Sequence, residues 1–356
     1  MMGKIRHLPK QATYLCYRIF RKVSGYHFLA LCSFFSLLTG KKLIFITSSF
    51  GDLGNHLFLF SNLIAFSLQN NAIVINLGLG DRRNHLVGAS KGLIPSFPPT
   101  PWFKARSNVL ESIVKTLAWS AEAIASSRFS LKQWQAVRIN NSPSMAFEMI
   151  DLDNPSLSRW FKKIHVIFLA GYCYIASKSI RLHQEEIRGY LGLKVNEPNQ
   201  LINRYREFRG RHDFIIGVLI RHGDYRNFMD GRYFYETSCY VDWIKQVKAL
   251  TKSKTPGFII TGNDGITPAG LTDVDHIFAQ HGEIATRLIL SRCDMLISPP
   301  SSYAGWCAFS GNIPLLLLTS SDQILKTEDL RTIFDQIDLR DASMPRSIDS
   351  TLKLIR

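Results

Sequence analysis

The chain has 356 residues, enough for two lobes with separate cores and too many for one ordinary core. Hydrophobic residues at 46% and charged residues at 20% exclude a disordered chain and a coiled coil. The net charge of +15 is unevenly placed: up to Phe50 there is no acidic residue, while Lys4, Arg6, Lys10, Arg18, Arg21, Lys22, Lys41 and Lys42 are basic. Such a block favours phosphate-bearing partners, either anionic lipid head groups or nucleic acid.

Within that basic stretch lies an apolar run, Tyr26 to Leu38. A spanning helix needs ~20 apolar residues, so the run is too short to cross a bilayer. It reads as a membrane anchor lying on the surface or as a helix packed on the protein's own body, and both readings stay open. Nucleic acid is not expected as a partner, because no helix-turn-helix, zinc or RNA-recognition pattern accompanies the charge. Residues 1–40 are therefore expected to form an arm separable from the body. The six cysteines form no CxxC pair and sit mostly among apolar neighbours. That suits a reducing compartment, hence a cytoplasmic protein with peripheral attachment to the inner membrane face left open.

The body begins with Leu43-Ile44-Phe45-Ile46, a short apolar run expected to be a buried strand. A glycine-bearing turn from Phe50 to Asn55, a helix over Leu57 to Leu68 and a strand over Ala72 to Leu77 complete a β-loop-α-β unit. The four prolines between Pro95 and Pro101 imply an irregular loop, and Ser107 to Ile150 is expected to be largely helical. After a charged helical stretch near Asn199 to Arg211, a second alternation follows. It runs strand 214–220, helix 239–250, strand 257–261, helix 283–292, strand 295–298 and strand 315–319. Two β/α regions are thus expected, an acceptor-side lobe over residues 41–205 and a nucleotide-binding lobe over 206–356. In open parallel sheets, ligands bind beyond the carboxyl ends of the strands.

Four loops at such ends carry candidate chemistry. Gly51, Gly54, Asn55 and His56 lie in a strand-to-helix turn, whose glycines permit close backbone approach and whose N–H groups meet anions. Arg221-His222-Gly223-Asp224-Tyr225 follows an all-apolar strand, so a permanently charged fork stands at the crevice mouth, suited to a diphosphate. Asp224 either orients Arg221 or binds a ligand hydroxyl, and a purely structural Arg–Asp pair is the plainer reading. Ser301 and Ser302, ahead of a helix, offer hydroxyls and N–H groups to phosphate, or serve as an ordinary N-cap. Asp264 lies in a polar turn that suits contact with a base or ribose, although most such turns are only turns.

Together these segments resemble family-eleven glycosyltransferases, the α-1,2-fucosyltransferases. Gly51-Asp52-Leu53-Gly54-Asn55-His56-Leu57-Phe58 is similar to that family's GGLGNQLF opening. Gly171-Tyr172 with Glu186-Ile187-Arg188 resembles its GY(F/W)Q…EIR segment. Ile220-Arg221-His222-Gly223-Asp224-Tyr225 resembles HIRRGDY. Leu290-Ser291-Arg292-Cys293-Asp294 with Ser301 to Trp306 resembles LMSxC…NSTFSWW. The resemblance spans Gly51 to Phe309 and implies a GT-B architecture of two facing Rossmann-like lobes with parallel sheets. It further implies GDP-fucose as donor, a glycan or glycolipid acceptor, inverting transfer, and no metal or other cofactor. Departures occur at Leu219, where the motif has histidine, at Cys173-Tyr174, at Thr286 and at Ala304-Gly305-Trp306. They leave open a transferase using another nucleotide sugar and a binding protein without turnover. Arg221 is expected to stabilise the leaving diphosphate with Ser301 and Ser302, and Asp224, Asp230 and His56 are the candidates for general base. Trp102 and its proline-rich loop are expected to face the acceptor.

Overall fold

The computed structural model describes residues 8–48, 51–99, 107–128, 130–138, 149–171, 174–195, 199–253, 255–262, 270–279 and 282–329. The first half runs α1 (Leu8–Thr39), β1 (Lys42–Ile46), α2 (Leu53–Gln69), β2 (Ala72–Asn76), β3 (Ser96–Phe97), α3 (Asn108–Ala125) and β4 (Trp134–Arg138). It continues through β5 (Ile150–Asp151), α4 (Pro155–Phe161), β6 (Val166–Ala170), β7 (Tyr174–Ile175), α5 (Ser177–Leu182) and α6 (Gln184–Leu191). The second half runs α7 (Gln200–Arg209), β8 (Phe214–Ile220), α8 (Thr237–Leu250), β9 (Pro256–Gly262) and β10 (His276–Phe278). It ends with α9 (Glu283–Leu290), β11 (Met295–Ser298), α10 (Ser302–Gly311) and β12 (Leu315–Leu317).

Two sheets result. The first has the order β3-β2-β1-β6-β4 and is parallel apart from the antiparallel edge pair of β2 and β3. The second, β10-β9-β8-β11-β12, is parallel throughout. The two-residue alternation of strands decides which core each side chain joins. In β1, Ile44 and Ile46 face the core beneath α2, while Leu43 and Phe45 face the core beneath α1 and α3. In β8, Ile215 and Leu219 face α9 and α10, and Ile216, Val218 and Ile220 face α8. The largest core runs through both halves. Its α2 and α10 side chains meet where Phe58 packs edge-on against Trp306 at 5.6 Å. Burial of side chains of this size stabilises the packing by about 1.5–3 kcal/mol each.

Three expectations are corrected. Among the described residues of the stretch from Ser107 to Ile150, only α3 is helical; the chain then returns as β4, which pairs with β6. The proline-rich loop holds the short strand β3, while Trp102 lies outside the described residues. The amino-terminal segment is not a detached arm: α1 lies on the sheet beside α3, with Leu29 and Cys32 buried. Its Ser33 hydroxyl accepts a bond from the Trp134 indole at 2.7 Å. Gly25 permits the contact, because a Cβ there would stand 2.9 Å from the Ser120 backbone. Among the described residues, no helix is long and apolar enough to cross a membrane. Cys32, Cys239, Cys293 and Cys307 are free thiols.

Candidate active site

Each sheet places its first long strand centrally. The chain moves outward from β1 to β2 and β3, then crosses to the far edge at β4 and returns to β6 beside β1; likewise it moves from β8 to β9 and β10 and crosses to β11. Loops that leave neighbouring strands in opposite directions open a crevice at this switch point. The segments after β1 and β8, both singled out in the sequence, therefore occupy the crevice positions.

At the end of β8, the Arg221 N–H donates to the Tyr240 hydroxyl at 3.2 Å, which fixes the backbone where the strand stops. The guanidinium carbon lies 4.4 Å above the Tyr225 ring centre, and Nη2 donates to both Asp224 oxygens at 3.1 and 3.3 Å. Asp224 is thus brought together with Arg221 and orients it. Stacking and ion pairing restrict the guanidinium before any ligand arrives, so less entropy is lost on binding. Burial pushes the Tyr225 hydroxyl up, so it stays protonated and donates to the Pro300 carbonyl at 2.5 Å. That bond ties the Arg221 loop to the loop after β11.

Ser301 caps α10, its hydroxyl accepting from the Tyr303 N–H at 3.1 Å. The first N–H groups of a helix lack intrahelical partners and carry partial positive charge, so this end suits an anion. Ser302 is half-buried and meets the start of α2 across the crevice. A Cβ at Gly54 would lie 2.8 Å from the Ser302 carbonyl oxygen, so only glycine allows this approach. The two helix starts are thus adjacent. Behind them Arg287 is buried and stacked 3.8 Å over the Tyr303 ring, with Nη2 donating to Glu283 at 2.8 Å. Sequence reasoning does not find this support; its only local signal is the four-residue spacing of Glu283 and Arg287 on one helix face.

In the loop after β1, Gly51 has φ +62° and Asn55 is half-buried, its N–H bonded to the Asp52 carbonyl at 3.0 Å. His56 is buried, and its Nε2 accepts from Arg82 Nη1 at 2.9 Å. Burial, reinforced by the Arg82 charge, lowers its pKa to about 4. With its lone pair held by a guanidinium, His56 is unsuited to take an acceptor proton, which corrects its place among the candidate bases. Arg82, on the turn after β2, adds a cation beside the crevice that no sequence pattern announces.

The remaining expected residues scatter. Gly223 has φ +57° at the head of the Arg221 turn. His222 is buried, stacks on Phe234 at 4.7 Å and donates through Nε2 to the Tyr235 carbonyl at 2.8 Å. Its ring therefore anchors the loop in the lobe interior and is not presented to a ligand. Asp230 is exposed on a left-handed turn, φ 56°, between Met229 and Gly231. Such strain in a non-glycine pair marks a constrained loop. Asp264 lies outside the described residues. Arg188 of the EIR segment donates to the Phe309 carbonyl at 2.7 Å and to Asn312 at 2.8 Å, bracing the carboxyl end of α10.

At the carboxyl ends of β1 and β4 a groove of about 280 Å³ is lined by Thr47, Ser48, Trp119, Glu122, Ser126 and Arg138. The half-exposed Trp119 donates its indole N–H to the Thr47 carbonyl at 3.2 Å, and Arg138 pairs with the buried Glu122 carboxylate at 3.2 Å. An aromatic face beside fixed polar groups suits a sugar ring.

Two Rossmann-like lobes with facing loop edges define a GT-B fold. Comparison with solved structures agrees. An arginine-to-lysine mutant of Arabidopsis thaliana FUT1 in complex with GDP is similar at 13% identity, with 82% of this chain and 73% of that chain covered and a TM-score of 0.51. The fucosyltransferase NodZ from Bradyrhizobium matches at 12% identity, 78% and 95% coverage and a TM-score of 0.44. At 13% identity the likeness to the Arabidopsis structure concerns the fold. No family model and no curated protein matches the sequence.

Proposed function

We propose that this chain is an inverting glycosyltransferase that moves fucose from GDP-fucose onto a glycan hydroxyl. The observation that carries the reading is Arg221: a guanidinium at the switch point, stacked on Tyr225, paired with Asp224 and tied to the loop bearing Ser301. The GDP in the Arabidopsis FUT1 structure supports the choice of ligand, and the sequence resemblance supports fucose and the α-1,2 linkage.

In such a transfer the acceptor oxygen bonds to the anomeric carbon while the bond from that carbon to the β-phosphate oxygen breaks. The electron pair leaves with the diphosphate, and the acceptor proton passes to a base. Arg221 and the α10 start, with the Ser301 and Ser302 hydroxyls, would neutralise the charge that grows on the leaving phosphate. Asp224 and Asp230 remain the carboxylates to test as base, since Arg82 engages His56. The Trp119 groove is the proposed acceptor seat.

A second reading, transfer from a different nucleotide sugar, is favoured by Leu219. Its side chain is 5% exposed and belongs to the core, so this position offers no hydrogen bond to a base. Thermal melts with GDP, UDP and ADP separate the two, because a ligand at 100 times its Kd stabilises the fold by about 2.7 kcal/mol. GDP alone raising the Tm supports the first reading. A larger shift with UDP or ADP than with GDP supports the second, and no shift with any contradicts both.

A further inference from the structure

We propose that α1 lays the protein on an anionic membrane surface, with one apolar face dipping into the head-group layer. The helix has two opposite faces, and both are apolar. Gly25, Leu29, Cys32 and Ser36 are buried against the body. On the far side Phe20, Val23, Leu31, Phe34, Leu37 and Leu38 face outward, Phe20 being 68% and Leu38 71% exposed. At 100° per residue these six fall within about 120° of arc, centred opposite the buried set. A soluble protein has no use for so continuous an exposed stripe of large apolar side chains unless something covers it.

Charge decides what covers it. Arg18 and Lys22 are exposed on the same helix, Lys41 and Lys42 stand at its end, and no carboxylate occurs up to Phe50. By the same 100° step Arg18 and Lys22 lie on the side opposite the stripe, so the helix carries its exposed cations away from its large outward apolar side chains, the arrangement of a basic helix that lies in a membrane interface. A second copy of this face would bring like charges together, whereas an anionic bilayer attracts them. The helix is 32 residues long but does not meet the requirement for a span, so it lies along the interface. This docking is independent of the donor chemistry.

The test is flotation of the full-length protein with phosphatidylcholine vesicles, with and without 30% phosphatidylglycerol. The expected result is recovery with the anionic vesicles, weakened but not abolished by high salt. A Leu31→Glu, Phe34→Glu, Leu38→Glu variant should lose at least ~100-fold in partitioning, since each insertion is replaced by a charge, and should keep its Tm because all three positions are exposed. Arg18→Glu with Lys22→Glu should lower binding to the anionic vesicles. Failure of the wild-type protein to float with anionic vesicles would overturn the proposal. So would unchanged flotation of the triple variant, or a dimer in solution that the same substitutions dissolve.

Discussion

Arg221 lies face to face with Tyr225, its guanidinium carbon 4.4 Å above the ring centre, and the Tyr225 hydroxyl reaches the Pro300 carbonyl at 2.5 Å. One tyrosine therefore supports the cation of the β8 loop and holds the β11 loop beside it. Tyr225→Phe keeps the ring and deletes the tie. The expected cost is about 1 kcal/mol of GDP binding, roughly fivefold, from a loosened Ser301 loop. Titration calorimetry with GDP measures it, and unchanged affinity would show that the tie does not position the site.

Gly54 stands where the start of α2 meets the start of α10. An alanine Cβ would press to 2.8 Å against the Ser302 carbonyl, so Gly54→Ala should destabilise the protein by about 1–3 kcal/mol and lower GDP affinity together. Gly189→Ala is the control: a Cβ there meets nothing within 4 Å, and in mid-helix it should stabilise by about 0.5–1 kcal/mol. Urea denaturation of the two variants should shift in opposite directions.

His56 gives the fold a pH dependence. Its pKa falls from 6.5 to about 4 on folding, first through burial and then through Arg82. Between these values the unfolded chain binds a proton that the folded protein does not. The stabilisation is therefore complete above pH 6.5 and declines as the pH drops toward 4. A His56→Gln variant should flatten that part of the stability profile. An equal slope in both proteins would show that other groups produce it.

The features of this molecule that are written in contiguous residues are legible in the amino-acid sequence. Strands β1 and β8 announce themselves as apolar runs, and the Arg221 and Ser301 loops follow strands directly. Strand β6 does not stand out, because five buried residues carry no periodicity that separates strand from helix. Strand β4, Trp134 to Arg138, is an edge strand with a mixed burial pattern, so its sequence lacks an apolar run. Arg82 beside His56, and Thr47 with Trp119 and Arg138, are brought together from separate elements and have no local signature. The amino-terminal helix shows a different limit: its sequence is apolar on two faces, and only packing reveals which face the body covers.

Stabilisation of the departing diphosphate by Arg221 is the step on which the proposed chemistry depends. Interactions that strengthen in the transition state appear in turnover as well as in affinity. Initial rates of nucleoside diphosphate release from GDP-fucose, with an acceptor found by screening, should be compared for wild type, Arg221→Ala and Arg221→Lys. Arg221→Ala should lower kcat/KM by ~10²–10³, the scale of losing one preorganised donor at a developing charge. Lysine should not rescue it, because a point charge lacks the planar fork that stacks on Tyr225 and pairs with Asp224. Melting curves of both variants should stay within a few degrees of wild type. Full activity in Arg221→Ala, or a loss of activity that merely follows a loss of folded protein, would contradict this role for Arg221.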